Sequence, residues 1–364
     1  MRTDVARRIR DAIAERGPLQ FAEFMEMALY GEDGFYDRPP VGPDADFVTS
    51  PHVHWWFAYA LALALGELQR LLGEPSPARI LEVGAGDGTL ARTLLEIVRE
   101  GGPIEYVAVE RSRGAMARLR DLPIRVEASV SAVAPLRDVT VFANELLDNL
   151  PFRRVRRARN GSVAEVRVDA VGTRFVEIEV DAEPGLVEAA GRLGSMPGEE
   201  KIVPTGAFAF IDELARSSER AYALLIDYTD ERVRSGDLVH GYRDQRVVAD
   251  VLRDPGSSDI TAGVDLDAVS ARASAVGLEV LGRSTQRDVL LALGFDGWAE
   301  RQRERQAALG TDGRGVDATR MWASRSRASL LIDPAGLGRL SWLLLATRGL
   351  PAPTWLSQAA TKGG

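Results

Sequence analysis

Glu82-Val83-Gly84-Ala85-Gly86-Asp87-Gly88-Thr89-Leu90 stands where a short β-type run, Arg79 to Val83, gives way to a segment of helical periodicity, Thr89 to Arg99. Glycine at these positions lets the backbone turn sharply and come close to a ligand, while the free amides that open the following helix face its negative groups. A glycine-rich turn with no ligand is the plainer reading. Three clustered glycines, however, cost conformational entropy and return no packing, which disfavours it.

Outward from this loop the pattern is regular. Ile104 to Val109, Ile124 to Ala128 and Val139 to Ala143 read as strands, with Ser112 to Leu119 helical between the first two. Strands alternating with helices over short loops predict right-handed βαβ units with helices on both faces. Ala221 to Ile226, Leu278 to Arg283 and Trp342 to Ala346 read as further strands, Leu266 to Val276 as a helix, and Trp298 to Leu331 as charged helical segments. Before the sheet come helices on Val5, Ile9, Ala12 and Ile13, on Phe21 to Leu29 and on Phe57 to Leu72, with a turn-rich loop from Gly31 to Pro51.

From Arg153 to Val180 strands follow one another without helices, turning at Asn160-Gly161 and Gly172, and helical stretches come next near Leu186 and Phe208. The predicted fold is an α/β, Rossmann-like doubly wound sheet with an N-terminal helical segment and an inserted β-meander and helical region. The expected parts are residues 1–75 (N-terminal helices and covering loop), 76–152 (first half of the sheet domain), 153–220 (insertion), 221–350 (second half) and 351–364. Ser357 to Gly364 reads as a frayed tail.

Hydrophobic residues make up 45% and charged residues 27%, enough apolar material for a real core. The net charge of −8 leaves no excess of Lys and Arg to neutralise phosphates, which argues against nucleic acid and anionic membrane as general partners. The basic run Arg153, Arg154, Arg156 and Arg157 reads as a solvated strand face. With no cysteine, disulfides, Cys-ligated zinc and Cys nucleophiles are out. His52 and His54 lack the helical spacing of a metal-binding pair, so a structural or substrate-contact role is expected and no metal. Met1 to Arg16 has no secretory apolar run, and no stretch reaches the roughly 20 residues that span a bilayer, so the expected location is the cytoplasm.

The loop ligand is either the methionyl carboxylate end of S-adenosylmethionine or the pyrophosphate of a dinucleotide. The dinucleotide pattern is G-x-G-x-x-G. Gly84-x-Gly86-x-Gly88 with Glu82 two positions earlier looks instead like the first motif of S-adenosylmethionine-binding enzymes. Glu110, ending the next strand, is placed to accept ribose hydroxyls. Ser129 and Val130 close the third strand, where an adenine would lie. Asn144, Glu145 and Asp148 follow the fourth strand at the crevice, so they are expected near the reacting methyl, although Asn144 alone would serve as a helix N-cap.

The sequence resembles the MidA family of S-adenosylmethionine-dependent methyltransferases, which includes the mitochondrial arginine methyltransferase that assists respiratory complex I assembly. Gly17-Pro18-Leu19, Phe24-Met25, Gly34-Phe35-Tyr36 and Asp46-Phe47-Val48-Thr49-Ser50-Pro51 carry the resemblance first. The glycine loop, Val109-Glu110-Arg111-Ser112 and Ala143-Asn144-Glu145-Leu146-Leu147-Asp148-Asn149-Leu150-Pro151 continue it. Leu225-Ile226-Asp227-Tyr228, Gly241-Tyr242-Arg243, Asp259-Ile260-Thr261-Ala262 with Val264-Asp265, and Thr285-Gln286 complete it. Ala45 and Thr229 stand where the family pattern has Gly, and His52, Trp55 and Trp56 follow Pro51 where it has a polar, Gly-containing helix start.

The resemblance implies S-adenosylmethionine as cofactor, with Thr49 and Glu82 beside it, and methyl transfer to a protein arginine. Glu145 and Asp148 would clamp the guanidinium, and Asp227 and Tyr228 would line the acceptor pocket. A protein substrate is the expected partner, and a homodimer is compatible with the sequence. Two alternatives stay open: a small-molecule O- or N-methyltransferase, because fold and cofactor do not fix the acceptor, and a catalytically weak, cofactor-binding assembly factor.

Overall fold

The computed structural model describes residues 3–38, 49–99, 101–229 and 238–362. Asp46, Phe47, Val48 and Ala45, and with them the middle of the Gly31 to Pro51 loop, lie outside the described residues.

Seven strands form the central sheet, numbered here in chain order: β1 (Ala78–Val83), β2 (Ile104–Val109), β3 (Arg125–Glu127), β4 (Leu136–Asn144), β5 (Ser218–Asp227), β6 (Glu279–Thr285) and β7 (Ser341–Ala346). Their spatial order is β6-β7-β5-β4-β1-β2-β3, and β7 alone runs antiparallel to its neighbours. The order reverses between β1 and β4, whose registers pair Val83 with Ala143, so the ligand crevice of an open α/β sheet opens at those two strand ends.

Near-continuous apolar runs make these strands because both faces of the sheet are covered. Leu224, Ile226, Trp342, Leu344 and Ala346 point to a core shared with helices Trp56–Leu71 and Thr354–Lys362. Leu225, Leu343 and Leu345, on the other face, meet helices Thr205–Ser217 and Leu266–Ala275. Each fully buried Leu contributes roughly 1.5 to 3 kcal/mol, so this two-sided core holds the site rigid.

The insertion folds as an antiparallel sheet in which Val163–Val171 pairs with Arg174–Asp181 on one edge and with Arg153–Arg157 on the other, and Arg153–Arg157 pairs in turn with Glu200–Val203. Leu19–Gln20 joins the second edge, Leu19 opposite Val168, which fastens the N-terminal helices to the insertion. The strand Glu200–Val203 was not apparent from periodicity.

Two expectations are corrected. The Arg153 to Arg157 run is not a solvated face: Arg153 and Arg154 are buried and ion-paired, Arg153 with Glu165 at 2.7 Å and with Glu183, and Arg154 with Glu177 and with Glu200 at 2.6 Å. Buried guanidinium groups need such partners, and the adjacent strands supply them in register. Nor is the described part of the expected tail, through Lys362, frayed. Thr354–Lys362 is a helix whose Trp355 and Ala359 are buried, with the Trp355 ring 6.0 Å from that of Trp342.

Candidate active site

At the β1 and β4 strand ends lies a cavity of about 1330 Å³, larger than the roughly 300 to 1,000 Å³ of an ordinary small-molecule pocket. One half is built by the glycine loop. Gly84, Gly86 and Gly88 have φ of 77°, 57° and 78°, left-handed values that L side chains rarely adopt. A Cβ at Gly84 would fall 2.9 Å from Leu146 Cδ1, so this glycine lets the loop close onto the turn after β4. A Cβ at Gly86 would meet nothing within 4 Å and would enter the cavity.

Glu110 braces the loop from β2. It accepts from the amides of Gly86 at 3.0 Å and of Arg111 and Ser112, both at 2.8 Å. Burial pushes its carboxyl up, against the pull of those three N–H donors. A carboxylate has about four acceptor positions, so one remains for a ligand hydroxyl. Glu82, buried at the base, accepts from Tyr106 Oη at 2.7 Å, and burial pushes it up to about 8. Asp87 accepts from the Thr89 amide and hydroxyl, both at 2.9 Å, where the helix behind the loop begins. Ser129 and Val130, after β3, line the far end with Phe210.

The other half surrounds the turn after β4. Glu145 holds a left-handed φ of 52°, a conformation that non-glycine residues keep only where the surroundings impose it. Its amide donates to Ile226 O on β5 at 2.7 Å, and its Oε1 accepts from Ser50 N and Asn144 Nδ2, both at 3.1 Å. Asp148, in the short 3-10 turn Leu147–Asn149, accepts from Thr261 Oγ1 at 3.0 Å and Asn149 Nδ2 at 2.7 Å. Burial pushes Glu145 up to about 7, with nearby Asp148 adding to the effect, and pushes Asp148 up to about 6. Neither caps a helix, and Asn144 belongs to β4, so the capping alternative fails.

The sequence profile of the Methyltransf_28 family of S-adenosyl-L-methionine-dependent methyltransferases matches residues 60–284, more than half of the chain and the whole stretch from the helix before β1 to β6. This chain belongs to that family. Relatives include the Drosophila melanogaster mitochondrial protein arginine methyltransferase NDUFAF7 homolog, 25% identical over 73% of this chain and 69% of its own length. The human mitochondrial protein arginine methyltransferase NDUFAF7 is 24% identical, over 81% and 74%. Two crystal structures from Burkholderia thailandensis share the fold. A COG1565 superfamily protein bound to S-adenosyl-homocysteine has a TM-score of 0.84 at 24% identity, covering 98% of this chain and 94% of that one. A native COG1565 superfamily structure gives 0.80 at 25%, with the same coverage.

The residues present in this methyltransferase fit S-adenosylmethionine. The glycine loop leaves open space at Gly86, and Glu110 keeps one acceptor position. Asn144 Oδ1 is buried with no hydrogen-bond partner among the described residues, an acceptor of the kind an ammonium group takes. Thr49, Glu82, Gly84, Gly86, Glu110, Ser129, Val130 and Asn144 all line the cavity, as do Glu145, Asp148 and Tyr228. Gly88 does not: a Cβ there would strike Leu119 and Leu122, so it serves the packing of the loop.

Asp227 stands behind the wall and does not line the acceptor pocket as expected. It is 1% exposed and accepts from the amides of Leu147 at 2.6 Å and Tyr228 at 2.8 Å, which makes it a positioning residue for the Asp148 turn. His54 is structural, paired with Ser324 Oγ at 2.9 Å and pushed down to about 4 by burial.

Sequence reasoning missed much of this side of the cavity wall. Tyr30 and Tyr36 stack at 5.3 Å, the Arg111 guanidinium lies 4.0 Å from the Tyr30 ring centroid, and Arg339 lies 6.0 Å from that of Tyr228. Tyr36 was quoted within a matching motif, but nothing local to it or to Tyr30 shows that the Phe35–Asp37 turn packs against β2's end. The packing is close: Ser112 Oγ donates to Tyr36 O at 2.7 Å, and any Cβ at Gly114 would collide with Asp37 O. Among the described residues no group of His, Cys, Asp and Glu is arranged to hold a metal ion, and no helix is long and apolar enough to cross a membrane.

Proposed function

We propose that this methyltransferase acts on a protein arginine. The observation that carries the reading is the pair Glu145 and Asp148. They are acids three residues apart in the cavity that holds the glycine loop, raised by burial, and without a salt-bridge partner among the described residues. Uncompensated buried carboxyls favour a cationic guest, and a guanidinium offers five donors in a planar fork. The stacked Tyr30 and Tyr36 rings add flat, polarisable surface for such a group. The arginine methyltransferase names of the relatives support the same reading.

When bound, S-adenosylmethionine supplies an electrophilic methyl. Glu145 and Asp148 hold the guanidinium by charge-assisted hydrogen bonds and turn one terminal nitrogen toward the donor half of the cavity. Most of the acceleration comes from this alignment. The methylated nitrogen must shed a proton. Glu145 Oε2, the oxygen not engaged by Ser50 and Asn144, is the group we assign to take it.

The test uses labelled donor with cell lysate, acid hydrolysis to identify the methylated residue, and single-turnover rates. Label is expected in methylarginine. Glu145→Gln should lower the rate by at least about a hundredfold while S-adenosylhomocysteine binds within about threefold of wild type, because only contacts with the reacting acceptor are lost. Label confined to small molecules or to another residue type would overturn the arginine assignment.

A further inference from the structure

We propose that His52 is a positioning residue that couples donor binding to the acceptor carboxylate of Glu145. The four-residue helix Ser50–Val53 touches both halves of the cavity. On the donor side His52 Nε2 lies 3.1 Å from Asp87 Oδ2, and its Nδ1 lies 2.9 Å from Thr49 Oγ1. A carboxylate only accepts, so Nε2 carries its hydrogen toward Asp87. Asp87 belongs to the glycine loop and accepts from the Thr89 amide where the next helix begins. On the acceptor side, Ser50 N donates to Glu145 Oε1 at 3.1 Å, and the buried Gln286, anchored on Leu331 O at 3.0 Å, backs the Ser50 hydroxyl.

The path from Gly86 through Asp87, His52 and Thr49 to Ser50 and Glu145 is therefore made of adjacent residues and hydrogen bonds. The His52 side chain is 9% exposed, so its bond to Asp87 is sheltered from competing water. A ligand that orders the glycine loop fixes Asp87, which through His52 fixes the Ser50 amide and the carboxylate it holds. The donor then completes the acceptor site. The sequence marks His52 as a departure from the family with a structural or substrate-contact role; the fold gives it this place.

The inference rests on the reading of Glu145 as an acceptor group, and its test uses no acceptor. S-adenosylhomocysteine affinity is measured by calorimetry, and amide hydrogen exchange is followed over residues 49–57 and 84–91, in wild type, His52→Ala, His52→Gln and Asp87→Asn. In wild type the ligand should slow exchange in both segments. His52→Ala should bind it about tenfold more weakly, the low end for one lost hydrogen bond to a charged group. At saturating ligand that variant should protect 84–91 but not 49–57. His52→Gln, which keeps an N–H donor, should recover affinity to within about threefold and restore the protection. Asp87→Asn cuts the same link from the other side and should also lose protection at 49–57.

Equal protection of 49–57 in wild type and His52→Ala would overturn the proposal, as would no ligand effect there in wild type. Full methylation by Glu145→Gln with the protection pattern intact would instead sink the acceptor reading alone.

Discussion

At the scale of single residues, Gly86 and Glu145 face the same cavity from opposite halves, and each holds a left-handed backbone. For Gly86 the conformation and the open space go together: a side chain would be strained, and it would fill the donor's place. Gly86→Val should therefore cost about 1 to 2 kcal/mol of stability while removing detectable S-adenosylhomocysteine binding. Calorimetry and a melting curve on the same sample check both, and a folded variant with unchanged affinity would remove the loop from the donor site. Glu145 was legible as a polar residue after an apolar strand, but its strained φ and its bond to Ser50, 95 positions away in sequence, were not. Asp227 shows the converse. Its place at a strand end suggested an acceptor contact, yet the side chain turns inward to hold two amides.

At the scale of elements, the strands and helices around the glycine loop could be read directly, since their apolar periodicity is local. The final helix could not. Thr354–Lys362 follows Pro351 and Pro353, and its composition is ordinary for a tail. The partner surface of β6, β7 and the helix Gln286–Ala292 explains it, where Trp355 is buried beside Trp342 and Leu356 packs against Gly282. Trp355→Ala should lower stability by about 3 to 5 kcal/mol, as for other large core truncations. Denaturant unfolding measures it, and a change below about 1 kcal/mol would return the helix to the status of a loosely attached tail.

At the scale of the whole molecule, the cavity gathers carboxyls that burial has raised: Glu82 to about 8, Glu145 to about 7 and Asp148 to about 6. In the unfolded chain they ionise near about 4. Between those values the native state binds more protons than the unfolded state, so these groups contribute stability that is full below about pH 4 and is lost as pH rises through about 6 to 8. The melting temperature of the ligand-free protein should therefore fall from pH 5.5 to pH 8.5. Glu82→Gln should flatten the upper part of that slope, and a melting temperature in wild type that rises across the range would show that these carboxyls ionise normally.

The amino-acid sequence by itself determined the doubly wound sheet and the glycine loop, and it put Glu110 and the acids after β4 at the strand ends that line the cavity. These depend on neighbours within a few positions: apolar period, glycine spacing and the rule that strand ends form the crevice. It did not determine the rest of the cavity wall. Tyr30 and Tyr36, Thr261 and Arg339 come from separate stretches of chain, and long-range packing around the sheet brings them to one cavity. The same holds for which polar groups are buried, since the partners that let Arg153 and Arg154 leave water lie on other strands. Local pattern carries the backbone's period, whereas the company of each polar side chain exists only once distant segments have packed.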